Sequence, residues 1–367
     1  MPTVFLSGVL APILSHQAMH IPDGYLSPLT AAVMFLLVLP FWARGARTLR
    51  QTLSAANVPL IALLAAFSFV IMMFNVPLPG GTSGHAVGGV LAAVILGPDV
   101  AVIAISIALV IQAFFFGDGG LLALGANCFN MAVVLPYTGA AIYRLLAGDR
   151  TVSPRRRALA AGLGGYAGLS LAALFTAVEF GLQPALFHAA DGTPLYAPYP
   201  LAVSIPAMVL PHLAVASVVE GLLTGLVVAY LLRTNPALLA LRSRPGLTGE
   251  ATGPGGRAAL RGLFVSLAVL VVATPLGLLA PGTAWGEWSG AELARLGFGF
   301  VPAGLARLGG LWGAPLARYD LPALGNAKMG YVLSALLGVF LAGVVAWLLT
   351  LALTAGRQTA AVTRKIE

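Results

Sequence analysis

The chain has 367 residues, of which 59% are apolar and only 9% charged, with a mean hydropathy of +0.94. This usage lies far outside that of soluble domains and predicts an all-α, polytopic membrane protein with the lipid bilayer as its surroundings. A net charge of +8 would suit a nucleic-acid binder, but the basic residues cluster between apolar runs, where they report membrane orientation, so no nucleic-acid partner is expected.

Residues 1–18 contain an apolar stretch, Val4 to Leu14, too short to cross a hydrocarbon layer that needs about 20 residues. They read as a signal peptide or as a start placed too early, with Met19 as the first residue of the working protein. Apolar runs then predict spans near 29–43, 52–76, 86–97, 99–116, 121–143, 158–182, 201–232, 262–280 and 330–354. Of these about nine spans, about seven belong to a core, 19–241, and two to a C-terminal module, 258–367. The third is short and meets the fourth at Gly97-Pro98-Asp99, which suggests a tight hairpin that stops short of full depth. With the N-terminus outside, the inner segments 44–51, 144–157, 233–261 and 355–367 hold sixteen of the 20 Lys and Arg residues, and the C-terminus falls inside. Residues 242–257 supply Gly, Pro and Thr without periodicity and read as a cytoplasmic linker. The module's outer segment, 281–328, carries WGEW at Trp285–Trp288, which reads as an interfacial aromatic anchor rather than a ligand site.

The stretch with chemical content is MHIPDGYLSP, Met19 to Pro28. With Met19 as first residue, its amine and the amide and imidazole nitrogens of His20 could chelate one divalent cation in fused small rings, a donor set suited to Ni²⁺ and similar ions. A fourth nitrogen is then needed. His85, in PGGTSGHAVGG, lies on the same outer side between glycines that permit close backbone approach; it could equally be a turn histidine that caps a helix. His188 and His212, near outer span ends, read as hydrogen-bonding residues. Glu179 and Glu220 lie inside apolar segments, where a carboxylate marks either an ion pathway or a buried hydrogen bond between helices. Asp118, Asn127 and Asn130 read as turn and helix-packing residues near the outer face, with a supporting role at the site left open. Gly162, Gly164, Gly165 and Gly168 allow close helix approach, either for internal packing or for docking another membrane subunit. Cys128 is the single cysteine, so no disulfide framework exists. The sequence carries no HExxH, GxSxG or phosphate-loop signature, and no enzymatic activity is expected of it.

Taken together, MHIPDGYLSP, MMFNVPLPGGTSGHAVGG, QAFFFGDGG, GANCFNMAVVLPYTG and HLAVASVVEGLLTG resemble the CbiM/NikM family over about 19–235. That family is the substrate-specific membrane component of energy-coupling factor transporters for cobalt or nickel. The module with TAWGEWSGAEL and GLWGAPLARYDLP looks like the accessory extension that some members carry fused. The resemblance implies metal ligands at Met19, His20 and His85, with Asn75, Ser83 and Glu220 beside the site or along the ion's path. It implies no cofactor beyond the transported Co²⁺ or Ni²⁺, a transmembrane coupling subunit and a pair of cytoplasmic ATPases as partners, and a bacterial or archaeal cytoplasmic membrane as location. Two other classes remain as alternatives: a stand-alone secondary permease using Glu179 and Glu220, and a transport component for a vitamin.

Overall fold

The computed structural model describes residues 20–52, 58–79, 82–148, 153–234, 236–239, 254–280 and 285–366. Residues 1–18, Met19 and the linker over 242–253 lie outside the described residues, while residues 254–257 open a helix. The architecture is all-α and multi-pass. Helices α1 (Pro28–Thr52) and α2 (Val58–Met72) precede a small antiparallel pair, β1 (Val76–Leu78) and β2 (Thr82–Gly84), joined in the register Val76–Gly84, Pro77–Ser83 and Leu78–Thr82. Helices α3 (Gly89–Leu96) and α4 (Pro98–Ile111) follow, then α5 (Leu124–Asn127), α6 (Leu135–Ala147), α7 (Pro154–Leu186), α8 (Leu201–Pro211) and α9 (Ser217–Thr234). The C-terminal module contributes α10 (Pro254–Ala273), two short helices, α11 (Gly290–Arg295) and α12 (Ala303–Leu308), and α13 (Ala327–Ile366). Among the described residues, six helical segments are long and apolar enough to span a bilayer; α2 and α3 are apolar but shorter.

The third and fourth spans form the expected hairpin, with Gly97 at φ 86° and Pro98 in the first turn of α4, where its missing N–H is not needed. Its depth differs from expectation. The turn reaches the Arg44 end of α1: Asp99 accepts from Arg44 Nε at 3.0 Å and from Thr48 Oγ1 at 3.2 Å, and also from the Tyr137 hydroxyl. The shortfall is at the other end of α3, whose eight residues rise only about 12 Å. Above them the chain bearing His85 dips into the bundle as non-helical backbone.

Such backbone is tolerated at membrane depth only where protein satisfies it. Here Glu220 Oε2, from α9, accepts the N–H groups of Val87 at 2.8 Å and Gly88 at 2.9 Å, and Ser68 Oγ donates to the Val87 carbonyl at 2.8 Å. Glu220 is therefore a buried anchor of the His85 loop, the helix-holding alternative rather than an open pathway group. Glu179 does similar work between α7 and the segment preceding α6, accepting from Asn130 Nδ2 at 3.0 Å.

The glycine-rich face of α7 is used inside the molecule. A Cβ at Gly164 would stand 2.7 Å from the Gly139 carbonyl, and one at Gly162 or Gly165 would stand 3.0 Å from backbone of α9, so α6, α7 and α9 meet backbone to backbone. Replacing Gly164 by Leu must push α7 off α6. We expect a loss of at least about 1–3 kcal/mol, read as a lower melting temperature in detergent; an unchanged melt would remove Gly164 from the packing account.

Candidate metal-capture site

The stretch after Met19 runs as irregular backbone into the bundle, and several of its polar groups are met by residues far away in sequence. Asn127 holds Ile21 from both sides, its Oδ1 accepting the Ile21 N–H at 3.0 Å and its Nδ2 donating to the Ile21 carbonyl at 3.1 Å. Asp23 accepts the N–H groups of Leu121, Leu122 and Ala123 at 2.8–3.1 Å. Burial nonetheless raises its pKa above the ordinary carboxylate value, with the three donors pulling the other way. The Ser27 N–H goes to Gln183 Oε1 at 2.9 Å, and the Tyr25 carbonyl accepts from Ala197 N–H at 3.0 Å. Tyr25 itself donates to the Trp288 carbonyl.

This close seating explains the glycines of FFFGDGG. Gly119 has φ 93°, a left-handed conformation open to glycine, and lies under the His20 side chain, where an added Cβ would be 3.0 Å from His20 Cβ. A Cβ on Gly120 would fall 2.0 Å from Asp23 Oδ1. Ala or any larger residue there would unseat the N-terminal stretch.

His20 and His85 come together. Both are buried, and their ring centroids lie 5.0 Å apart at an interplanar angle of 75°, within reach of one ion bound at the usual imidazole distance of about 2.0–2.1 Å. His85 Nδ1–H donates to the Ala86 carbonyl at 3.0 Å, which makes Nε2 the lone-pair nitrogen of the neutral ring. That is how metal-binding histidines are usually oriented. The helix-cap reading of His85 does not hold: the cap position of α3 is Gly88, with no side-chain bond. His20 Nδ1 lies 3.1 Å from Asp118 Oδ1, and Nε2 is buried without a hydrogen-bond partner. Tyr319 of the C-terminal module donates to Asp118 Oδ2 at 2.6 Å and accepts from Gln112 Nε2 at 3.0 Å. Tyr319 reaches this position from a strained turn, Arg318 and Tyr319 having φ of 62° and 58°.

The two imidazoles face a cavity of about 70 Å³, also lined by Ser83, Asn130, His212 and Glu287. That is room for an ion and a few waters. Among the described residues, Lys and Arg are absent from its lining. Two π-helical turns contribute to its lining, Cys128–Val134 through Asn130 and Met131 and His212–Ala216 through His212; such irregular turns are frequent at functional sites. Among the described residues, no group of three or more His, Cys, Asp or Glu side chains converges as a complete metal site. His212 reaches the cavity with Nδ1–H given to the Met208 carbonyl at 2.7 Å. His188 stays out, bonded to Ala189 beside a surface turn. Asn75 is buried but does not line the cavity.

Sequence reasoning missed three contributors. Asp23 was hidden by its place in a turn-like PDG, Tyr319 by the distance between module and core, and Glu287 by its tryptophan neighbours. Trp285 and Trp288 do not form an outward interfacial anchor; they meet Tyr199 tilted and edge-on, with centroids 4.8 and 5.9 Å away, and pack inward against the cluster around Tyr25 and Phe180.

The family model described as the cobalt uptake substrate-specific transmembrane region, CbiM, matches residues 20–238. The fused nickel transport protein NikMN of Rhodobacter capsulatus is 53% identical over 337 residues, covering 88% of this chain and 94% of that protein. The probable fused nickel transport protein LarMN of Lactiplantibacillus plantarum is 40% identical over 88% of this chain and 95% of its own length. The cobalt transport protein CbiM of Geobacter sulfurreducens is 34% identical over 75% of the chain and 76% of its own length. A crystal structure of a truncated transition metal transporter superposes with a TM-score of 0.55 at 53% identity, covering 59% of this chain and 99% of that one.

Because both N–H groups at Val87 and Gly88 converge on one oxygen of Glu220, a Gln carbonyl can replace it. Glu220→Gln is expected to leave folding and equilibrium metal binding close to the unmodified protein in a titration. Glu220→Ala orphans two buried donors at about 1–3 kcal/mol each and should lower the melting temperature sharply.

Proposed function

The chain belongs to the CbiM family of cobalt uptake substrate-specific transmembrane regions, and as a nickel- or cobalt-transport component of that type it is, we propose, the subunit that captures the ion through its own N-terminus. The observation that carries this reading is the meeting of His20 and His85, from segments 65 positions apart, in one buried polar cavity. Met19 as a free N-terminus would add its amine, and His20 its amide nitrogen, to complete four nitrogens around Ni²⁺ or Co²⁺. A chelate ring shared with its own amide uses Nδ1 of His20, the atom that faces Asp118 here. Binding therefore includes a turn of that imidazole away from Asp118, and release of the amine and amide protons makes it weaken on acidification. Nickel is the first ion to test, since the two relatives that match through the C-terminal module are called nickel transport proteins.

Transport then requires energy from elsewhere, because the sequence carries no phosphate-loop signature. A transmembrane coupling subunit and two cytoplasmic ATPases, in an energy-coupling factor assembly, fit that need. The ion enters from the outer side, with the arginine-rich segments and the C-terminus inside.

Two purified forms test the site, one beginning at Met19 and one retaining residues 1–18 with its mass confirmed. The Met19 form is expected to hold about one equivalent of nickel or cobalt by elemental analysis, the extended form far less; equal loading would remove the amine from the site. In the Met19 form, His85→Ala deletes a donor outright and should cost more than the about 10–100-fold typical of losing a ligand's supporting partner. Unchanged affinity on isothermal titration would exclude His85.

A further inference from the structure

We propose that Glu287 of the C-terminal module is the carboxylate that draws the divalent cation into the capture cavity, which makes the module's outer segment part of the metal site. The inference rests on the reading above and goes beyond it, since the ligands there all come from the core.

Glu287 sits in the loop before α11, between Trp285 and Trp288, and is 6% exposed. It lines the same cavity as His20 and His85, and its Oε2 is buried without a hydrogen-bond partner. Among the described residues no Lys or Arg lines that cavity to neutralise it, and a second carboxylate, Asp118, stands behind His20, 3.1 Å from its Nδ1. A buried carboxylate with an unmatched oxygen and a like-charged neighbour is a costly arrangement. A dication in the cavity relieves both costs at once.

Packing holds the group there. Gly286, at φ 84°, lets the loop lie against Phe180, where a Cβ would be 3.0 Å from the ring, and Trp285 packs tilted against Tyr199. The same segment continues into a capping box at Ser289 and Glu292. Glu287 is thus fixed on a rigid arm over the cavity. The described titratable groups that share the cavity with Glu287 or couple to it, His20, His85, His212, Asp118 and Tyr25, include no residue that is permanently cationic. No set of three such side chains converges closely enough to be a ligand cluster, so Glu287 acts by charge at the cavity rather than as one of the nitrogen-site ligands. An acidic group so placed raises the local cation concentration and the capture rate, and salt screens that effect.

The test uses the full chain beginning at Met19, with NiCl₂ as probe. Nickel capture is followed by stopped-flow quenching of tryptophan fluorescence at several ionic strengths, and affinity by titration. Glu287→Gln keeps the shape and removes the charge; it is expected to slow capture about 10-fold or more, to flatten its salt dependence, and to weaken affinity. Glu287→Asp keeps the charge and should retain most of the rate and the salt dependence. Gln behaving as the unmodified chain overturns the inference, and so does equal damage in Gln and Asp, which would mark a packing role. If the Gln variant does not fold, the unmodified chain still decides. Saturable quenching whose rate falls with salt supports an entrance charge, and a salt-independent rate overturns it. Failure of the unmodified chain to bind nickel at all would instead overturn the capture reading itself, so the two failures are distinguishable.

Discussion

The structure depends on one constraint: irregular backbone can lie inside a membrane protein only if every peptide group it brings is met. Two irregular segments converge here, the stretch after Met19 and the loop around His85. Each is met by buried side chains whose place in the sequence gives little hint of that duty. Asn127 grips both the N–H and the carbonyl of Ile21, Asp23 gathers three N–H groups from 121–123, and Glu220 gathers two from 87–88. Remove these and the histidines would have no fixed positions. The placing of the two histidines therefore depends on residues other than the imidazoles themselves.

The second determinant is the sign of the cavity. His20, His85 and His212 offer nitrogens, Glu287 stands in the lining, and Asp118 stands behind His20. Among the described residues, Lys and Arg are absent from that lining, although the chain carries 20 of them. In a low-dielectric setting this asymmetry disfavours anions and favours a small, strongly charged cation. A volume of about 70 Å³ suits an ion with a few waters and is small beside the pockets that hold organic ligands.

How much of this could be read beforehand follows from the range of the interactions. Span positions, the Gly97-Pro98 hairpin and the all-α class were legible because they are written in local hydropathy and turn chemistry. His20 and His85 were legible as nitrogen donors, and their meeting was expected from the family resemblance rather than from spacing, because 65 residues separate them. The hairpin's depth was misjudged for a related reason: an eight-residue α3 looks like a helix that fails to reach across, whereas the loop above it descends. Glycine spacing announced close packing, yet only the opposing glycines of α6 and α9 assign it to the interior. The tryptophans at 285 and 288 suggested a membrane interface because tryptophan commonly sits there, and composition alone gave no sign of Tyr199 waiting inside. Tyr319 lay beyond reach altogether, since its role depends on a left-handed turn at non-glycine residues and on a partner 201 positions away.

Nδ1 of His20 has two competing uses, and that competition links the module to the core. Asp118 holds it in this structure, with Tyr319 holding Asp118 and Gln112 holding Tyr319. On the proposed chelate the ion takes Nδ1 instead. Asp118 then gives up the imidazole while the Tyr319 hydroxyl still donates to it, and a carboxylate losing one partner gains from a positive charge arriving beside it. The exchange is balanced because the ion that removes the imidazole also supplies the compensating charge. A chain lacking the free amine would have two nitrogen donors fewer to offer, since an amide deprotonates readily only inside a chelate ring. In that case the ion would gain too little to displace Asp118. On that proposal the N-terminal amine and Asp118 pull one imidazole in opposite directions, and the module, through Tyr319, supports the Asp118 side.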